Sequence, residues 1–361
     1  MSQTATTVKP SNRVKTVSHY TELLQRIKTA GLLEKKPLFY INRFIILTII
    51  SLALWFTLYV ISNSELTWLS IPTVMLLGIM SAQYGFIGHE AAHRQIFNNN
   101  KLNETTGIIL ANLFAGLSYS FWIRKHNRHH NKPNQIGYDP DIAIRVLSFT
   151  PESLTQKKGV EKTVSRNQGW LFPILLLFTG FDLLADSFLS LKNRNVKHRH
   201  IEFILMLIRQ LTPLIIFTLL FGYIWGAVLW FTMMLTFGFF MGSAFAPNHK
   251  GMPLVPKDSK IDFLQRQVLT SRNVTSSWFK DNFMGGLNFQ IEHHLFPSMA
   301  RPNLKQANII IKQYCEELNL PTVEMGWFES IREVMKYLDK VGLSERDPFV
   351  CPMVAELRPR N

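Results

Sequence analysis

Histidines stand close together at two places in the first half of the sequence, at spacings that predict metal binding. His93 follows His89 by four positions, and His129 and His130 follow His126 by three and four. Residues at these intervals share one face of a helix, so their imidazoles can reach the same metal. A single HxxxH pair is a weak signal, whereas three imidazoles on one helical face are a stronger one.

A third group contains paired histidines, in the sequence Gln290-Ile-Glu-His293-His294, and the isolated His249 follows an apolar segment. One zinc ion takes about four ligands, and a catalytic zinc takes three plus water. Eight imidazoles therefore predict two metals, although Zn, Cu, Fe and Ni all bind neutral imidazole. The predicted ligands are His89, His93, His126, His129, His130, His249, His293 and His294.

Polar residues inside or beside these groups are candidates for orienting the imidazole rings. A carboxylate or amide that accepts a hydrogen bond from one ring nitrogen directs the other nitrogen to the metal. The candidates are Gln290, Asn248, Glu90 and Glu292. The two glutamates are equally well explained as solvated residues on the outer faces of helices, and the same holds for Asp139 and Asp141. The histidines expected outside the site are His19, His198 and His200.

Four apolar segments are long enough to cross a bilayer, which takes roughly 20 residues. They are residues 44–63, 66–88, 201–221 and 226–246. The links within each pair are short, so the segments form two helical hairpins. Arg209 lies inside the second hairpin, where its long side chain is expected to reach the head groups. Residues 105–123 and 170–190 are more polar or are interrupted by aspartates, and we expect them to dip into the membrane or lie on it.

The basic residues indicate the orientation of these hairpins. The net charge is +14, and no Lys or Arg lies in either hairpin turn. By the positive-inside rule the turns face outward, and the rest of the polar chain is cytoplasmic. With such long apolar segments, the basic charge favours binding to anionic lipid over binding to nucleic acid. The two cysteines, Cys315 and Cys351, form no metal or disulfide pattern. The polar first residues predict no signal peptide.

The predicted fold is therefore all-α and integral to the membrane, with four transmembrane helices in two hairpins and a cytoplasmic helical cap that holds a di-metal site. Residues 1–42 are expected to form a cytoplasmic N-terminal segment that contains a short amphipathic helix. Residues 43–301 form the membrane domain. Residues 302–361 form cytoplasmic helices, near 304–318 and 327–341.

The three histidine groups and their surroundings resemble the histidine boxes of the membrane fatty acid desaturases. Residues 281–297 are very similar to the third box, and Gln290 in place of a first histidine resembles the front-end and acyl-lipid branches. Residues 125–130, followed by Tyr138-Asp-Pro-Asp-Ile, resemble bacterial acyl-CoA and acyl-lipid members. The resemblance extends from about residue 23 to residue 318, and in combination the motifs are highly specific.

This resemblance implies two irons per chain, dioxygen as oxidant, electrons from outside and a long-chain acyl substrate. It leaves open whether the acyl carrier is CoA, acyl carrier protein or a glycerolipid. His249 matches a further family histidine, whereas the position of Asn248 departs from the family spacing. Gln290, a poor ligand, is expected to act through water or a hydrogen bond. No His-Pro-Gly-Gly haem motif is present, so the donor is predicted to be a separate ferredoxin, or cytochrome b5 with a reductase.

The predicted location is a bacterial inner membrane, with the active site facing the cytoplasm. A hydroxylase, ketolase or acetylenase on the same scaffold is the alternative function. A non-catalytic membrane metal-binding protein or transporter is a more distant one. Transporters hold their ligands near the bilayer midplane inside the spans, whereas these histidines lie outside the apolar segments.

Overall fold

The structure is a computed structural model that describes residues 18–344. The predicted isolation of Cys351 therefore falls outside the described residues. Almost all of the regular structure is helical. In chain order the helices are α1 (His19–Thr29), α2 (Pro37–Ser62), α3 (Ser70–Ala92), α4 (Asn100–Ile108), α5 (Tyr119–Asn131), α6 (Pro151–Thr155), α7 (Gly159–Arg166), α8 (Gln168–Ser190), α9 (Arg199–Phe221), α10 (Tyr223–His249), α11 (Phe263–Leu269), α12 (Trp278–Phe283), α13 (Gln290–Leu295), α14 (Arg301–Glu317) and α15 (Trp327–Leu343).

Two helical hairpins, α2–α3 and α9–α10, form the centre of the described structure. Pro37 starts α2 at a position where its missing N–H costs nothing. Gly222 joins α9 to α10 with a φ of +83°, which a side chain would disfavour. α3 and α10 pack along each other, and both end at the same side of the bundle. Their last residues are therefore neighbours in space.

Five of the described helices are long and apolar enough to cross a membrane, one more than the four predicted. The additional helix is α8, which has 23 residues although Asp182 and Asp186 interrupt its apolar sequence. It packs closely on α10 through glycines. A Cβ added to Gly238 would lie 2.5 Å from the backbone nitrogen of Gly180. Small residues of this kind let two helices approach closely within a membrane.

The segment predicted to dip into the membrane, residues 105–123, is sharply bent. α4 continues as a π-helix (Ile109–Ala115), and the direction then changes by 109° before α5. Gly116 makes the bend with a φ of +80°, and a Cβ there would lie 2.6 Å from Nε2 of Gln210. Only glycine combines this backbone conformation with so close a contact.

Arg209 does not reach the head groups, so that prediction is wrong. Its side chain is buried in the bundle, where Nε donates to the carbonyl of Phe114 and Nη2 donates to Oγ of Ser81. The carbonyl end of a helix carries partial negative charge, which attracts the guanidinium. Arg209 thus ties the second hairpin to α3 and to the end of the π-helix.

The remaining helices pack against the end of the bundle where α3 and α10 finish. Helices are present where the sequence predicted them near the N-terminus (α1) and in the C-terminal region (α14 and α15). α1 packs on α14, and Arg26 bridges to Glu317 over 2.7 Å. A two-residue parallel strand pair, β1 (Asn273–Val274) and β2 (Glu324–Met325), is the exception to the helical architecture within the described residues.

Candidate metal centre

The eight histidines predicted as ligands converge in one place, from the ends of α3 and α10 and from α5 and α13. Six are buried, and His93 and His130 are half-buried. Ring nitrogens approach closely across elements that are far apart in sequence. Nε2 of His89 lies 2.8 Å from Nε2 of His126, and Nε2 of His249 lies 3.0 Å from Nε2 of His294.

The convergence divides into two groups. In the first, the candidate ligand atoms lie within 4.8 Å of one another; this group consists of His89, His93, His126 and His293. The second group meets the same limit and consists of His129, His249 and His294. His130 lies between them. Its Nε2 is 2.9 Å from that of His126, and its ring stacks on His294 with centroids 4.1 Å apart.

Local helix structure explains why these rings point together. In α5 the intervals of three and four residues place His126, His129 and His130 on one side of the helix. Ser118 accepts a hydrogen bond from the amide of Phe121 and thereby caps the start of α5. His89 occupies the last turn of α3 and His93 is its C-cap residue.

Each histidine of the second group is oriented by a hydrogen bond from its outer nitrogen. Nδ1 of His129 contacts both carboxylate oxygens of Asp139 at 3.0 Å. Nδ1 of His249 donates to the carbonyl of Thr270 at 2.9 Å. Nδ1 of His294 donates to Oε1 of Gln267 at 2.9 Å. These acceptors leave each Nε2 with its lone pair turned to the centre, as metal ligation requires.

The donor chemistry of the first group also fits a metal. Nε2 of His93 is buried and has no hydrogen-bond partner within residues 18–344. Burial, together with the neighbouring imidazoles, lowers the pKa of His126 and His293 well below the usual histidine value. Neutral rings with facing lone pairs repel one another, and a cation between them removes that repulsion. The residues present therefore fit a pair of metal ions.

Asp139 is a fixed part of this arrangement. Its buried carboxylate also accepts hydrogen bonds from the backbone amides of Asn134 and Asp141, at 2.7 and 2.8 Å. Asp141 lies 3.6 Å from Nδ1 of His129 and pairs with Lys125 over 3.3 Å. Both aspartates therefore contact His129. Asp139 is buried, so the solvated alternative is wrong for it, whereas the side chain of Asp141 is 38% exposed.

Gln290 and Asn248 lie beside the second group. Nε2 of Gln290 donates to Nε2 of His249 over 2.8 Å. Asn248 donates to Oε1 of Gln290 over 3.0 Å and to the carbonyl of Ala244. Asn248 thereby sets which end of the Gln290 amide faces the histidines. No water is needed to connect these three residues.

Glu90 and Glu292 hydrogen-bond to no imidazole among the described residues, contrary to the role suggested for them. Glu90 forms a buried ion pair with Arg301, whose Nε is 2.5 Å from Oε1. Glu292 accepts hydrogen bonds from Asn273 and Asn308, and burial raises its pKa to about 6. Because both carboxylates are buried, the alternative that they are solvated is also wrong.

The three other histidines lie away from the centre. His19 begins α1 on the surface, and His200 is exposed at the start of α9. His198 lies 3.3 Å from Glu104. None of these rings contacts a member of either group within the described residues.

A cavity of about 440 Å³ adjoins the histidines, between α5, α8 and α10. Trp122 and Phe245 separate it from the rings. Trp122 stacks on His126 with centroids 5.1 Å apart, and Phe245 meets the edge of His89 at 6.0 Å. The remaining wall is mainly aliphatic and aromatic, with residues such as Leu147, Phe172, Leu176, Phe178, Phe181 and Met241. The arrangement can bring an apolar chain next to the two groups of histidines.

Several residues of the site have no clear signal in the sequence. Gln267 and Thr270 belong to α11 and the residue that follows it, and neither stands near a histidine in sequence. Trp122 precedes His126 by four positions, and this helical spacing is the one signal that identifies it.

Comparisons with known proteins agree with this geometry. The family described as "Fatty acid desaturase" matches residues 66–326. The chain is 29% identical to a Delta(6)-fatty-acid desaturase of Caenorhabditis elegans over 341 residues, which cover 87% of this chain and 73% of the relative. It is 26% identical to a Delta(8)-fatty-acid desaturase of Borago officinalis, over 92% of this chain and 77% of the relative. A Delta(5) fatty acid desaturase of C. elegans is also 26% identical, over 86% and 70%.

Proposed function

Because the chain belongs to the fatty acid desaturase family, and is thus an oxidoreductase of the desaturase type, we propose that it desaturates long-chain fatty acyl groups at a di-iron centre. Membership in this family of enzymes rules out the non-catalytic alternatives, a membrane metal-binding protein or a transporter. The observation that carries the proposal is the meeting of eight histidines from four segments beside one apolar cavity.

The two groups of imidazoles would each hold one iron. The first iron would be held by His89, His93, His126 and His293, with His130 alongside, and the second by His129, His249 and His294. When bound, a di-iron centre supplies the oxidising capacity that removal of hydrogen from an unactivated methylene by dioxygen requires. Asp139, Thr270 and Gln267 keep three of the ring nitrogens directed inward. Gln290, whose amide contacts Nε2 of His249, would lie beside the second group.

The cavity would hold the acyl chain. Its apolar wall favours a hydrocarbon substrate, because burying apolar surface releases about 25 cal/mol per Å². Trp122 and Phe245 would position the chain against the histidines and exclude water from them. The relatives are named as Delta(5), Delta(6) and Delta(8) desaturases, which supports a chain oxidised near its carboxyl end.

The apolar helices and the family together make this a membrane protein. We propose four crossings, by α2, α3, α9 and α10, with α8 and the bent α4–α5 segment entering the membrane from the cytoplasmic side. All the predicted ligands would then lie at one face, together with the cap. A basic cytoplasmic surface suits an acidic electron donor, a ferredoxin or cytochrome b5 with its reductase. The named relatives are eukaryotic, so a bacterial inner membrane stays a prediction.

Expression in a host that lacks polyunsaturated lipids tests this function. Mass spectrometry of the host lipids should find a new double bond with the wild-type chain and none with His126→Ala at equal expression. A hydroxylated, keto or acetylenic product would instead assign the chain to the alternative reactions. Unchanged lipids in a host that supplies iron and electron donor would refute the proposal.

A further inference from the structure

The cavity beside the histidines is apolar except at one end. There, two lysines line its wall, Lys125 and Lys250, together with Asp141 and Asp182. Each lysine directly adjoins a predicted metal ligand in the sequence, Lys125 before His126 and Lys250 after His249. The charged end of the cavity and the candidate metal centre are therefore formed by neighbouring residues of the same two chain segments.

Both lysines have hydrogen-bonding capacity to spare. Nζ of Lys125 lies 3.3 Å from Oδ1 of Asp141. Nζ of Lys250 lies 3.4 Å from the carbonyl oxygen of Asp141 and 4.8 Å from the centre of the Phe149 ring. An ammonium group has three donors. Each lysine therefore retains donors for a ligand in the cavity.

The charges at this end balance, since two lysines face two aspartates. The balance favours a neutral acceptor such as an ester or thioester carbonyl over a free carboxylate. Beyond Lys125 lies a second cavity of about 540 Å³, which shares Lys125 and Asp182 with the first and is bordered by Arg124, Arg128 and Arg145. This outer space has room for the group that carries the acyl chain.

We propose that Lys125 and Lys250 hydrogen-bond the carbonyl oxygen of the bound acyl ester or thioester. This inference rests on the proposed function. The two lysines fix the first carbon of the chain relative to Trp122 and the histidines, so the position of the double bond is counted from the carbonyl. The length of the apolar part of the cavity then limits how long the acyl chain can be, but it does not set the position of the double bond.

The inference is tested by measuring how tightly the full-length protein binds two long-chain ligands. One is an acyl ester, and the other is the matching ether, which lacks the carbonyl. The wild type should bind the ester about tenfold more tightly, as hydrogen bonds to charged groups allow. Lys125→Met and Lys250→Met keep the apolar stem. Each single variant should lose part of the ester preference, and the double variant should bind ester and ether equally, with unchanged ether affinity. Lys125→Arg should retain the preference, and the exposed control Lys257→Met should match the wild type.

Equal ester preference in the wild type and in the Lys125→Met/Lys250→Met double variant would overturn the inference, as would a wild type without any preference. Ether binding reports on the fold of each variant independently. In lipid analyses, the lysine variants should spread the double bond over neighbouring positions, while the wild type forms one isomer. An intact ester preference in a wild type that forms no double bond would refute the proposed function and leave the carbonyl site standing.

Discussion

The buried carboxylate of Asp139 accepts a hydrogen bond from Nδ1 of His129, with both oxygens 3.0 Å from that nitrogen. Two backbone amides hold the carboxylate in place from its other side. The contact sets the tautomer of the ring, so that Nε2 carries the lone pair and faces His249 and His294. The orientation of one ligand therefore depends on a residue ten positions further along the chain.

Replacement of Asp139 by Asn should weaken metal retention without unfolding the protein. The amide is uncharged and holds the imidazole less firmly, and losses of such outer partners typically cost 10–100-fold in metal affinity. Titration of the purified variant with a chelator measures the change. Asp258→Asn, on the exposed surface, is the matched control. Metal retention equal to that of the wild type would contradict the role given to Asp139.

Carefully purified protein should contain about two irons per chain, and His130→Ala should lose both iron and desaturation. His130 contacts members of both histidine groups, so its removal opens a gap between them. His200→Ala should keep the iron content and activity of the wild type, because that ring is remote and exposed. Elemental analysis and lipid analysis provide the two measurements. Active protein with one zinc and no iron would rule out the di-iron proposal.

Removal of one partner of the Glu90–Arg301 ion pair should destabilise the protein strongly. Both side chains are buried, so Glu90→Gln leaves a guanidinium without its counter-charge, which costs about 3–5 kcal/mol. The double variant Glu90→Gln/Arg301→Met removes both charges and should recover part of this loss. Thermal unfolding in detergent, arranged as a double-mutant cycle, measures the coupling. Additive losses would mean that the pair contributes no coupling energy.

All the histidines can meet only if they lie on one side of the membrane, because the hydrocarbon core is roughly 30 Å thick. In a variant without Cys315 and Cys351, a cysteine at exposed position Asn127 should react with impermeant reagents only after the cells are opened. A cysteine at Ser64 should react in intact cells. Asn134 is unsuitable for labelling, since its side chain is buried against the carbonyls of His249 and Pro253. Labelling of position 127 from outside would overturn the proposed topology.

The histidine convergence is predictable from sequence because helical spacing places rings on one face and hydropathy places the ends of spans at one depth. The hydrogen bonds to the outer ring nitrogens of these histidines cannot be predicted in the same way. Gln267 and Thr270 reach their histidines through tertiary packing of α11, which no local pattern encodes. Glu90 illustrates the same limit, since its partner Arg301 is more than two hundred residues away.

Hydropathy also gives wrong predictions for polar residues that lie inside the protein. Asp182 and Asp186 shorten the apolar segment of α8 in sequence, although Asp182 lines the cavity and α8 continues through both. Arg209 carries the charge of a residue at the membrane surface, yet the end of the π-helix binds it inside the bundle. For Arg209, specific tertiary contacts outweigh the average preference of the side chain.

The ion pair between Glu90 and Arg301 also bears on biosynthesis. A nascent chain that has reached the end of α10 already contains six of the eight histidines, but it lacks His293, His294 and the arginine that holds Glu90. The site therefore closes only after translation has passed α13, when both hairpins have already been made. If the site holds the proposed iron, loading would be a late event of maturation, and incomplete chains released early would carry no complete site into the membrane.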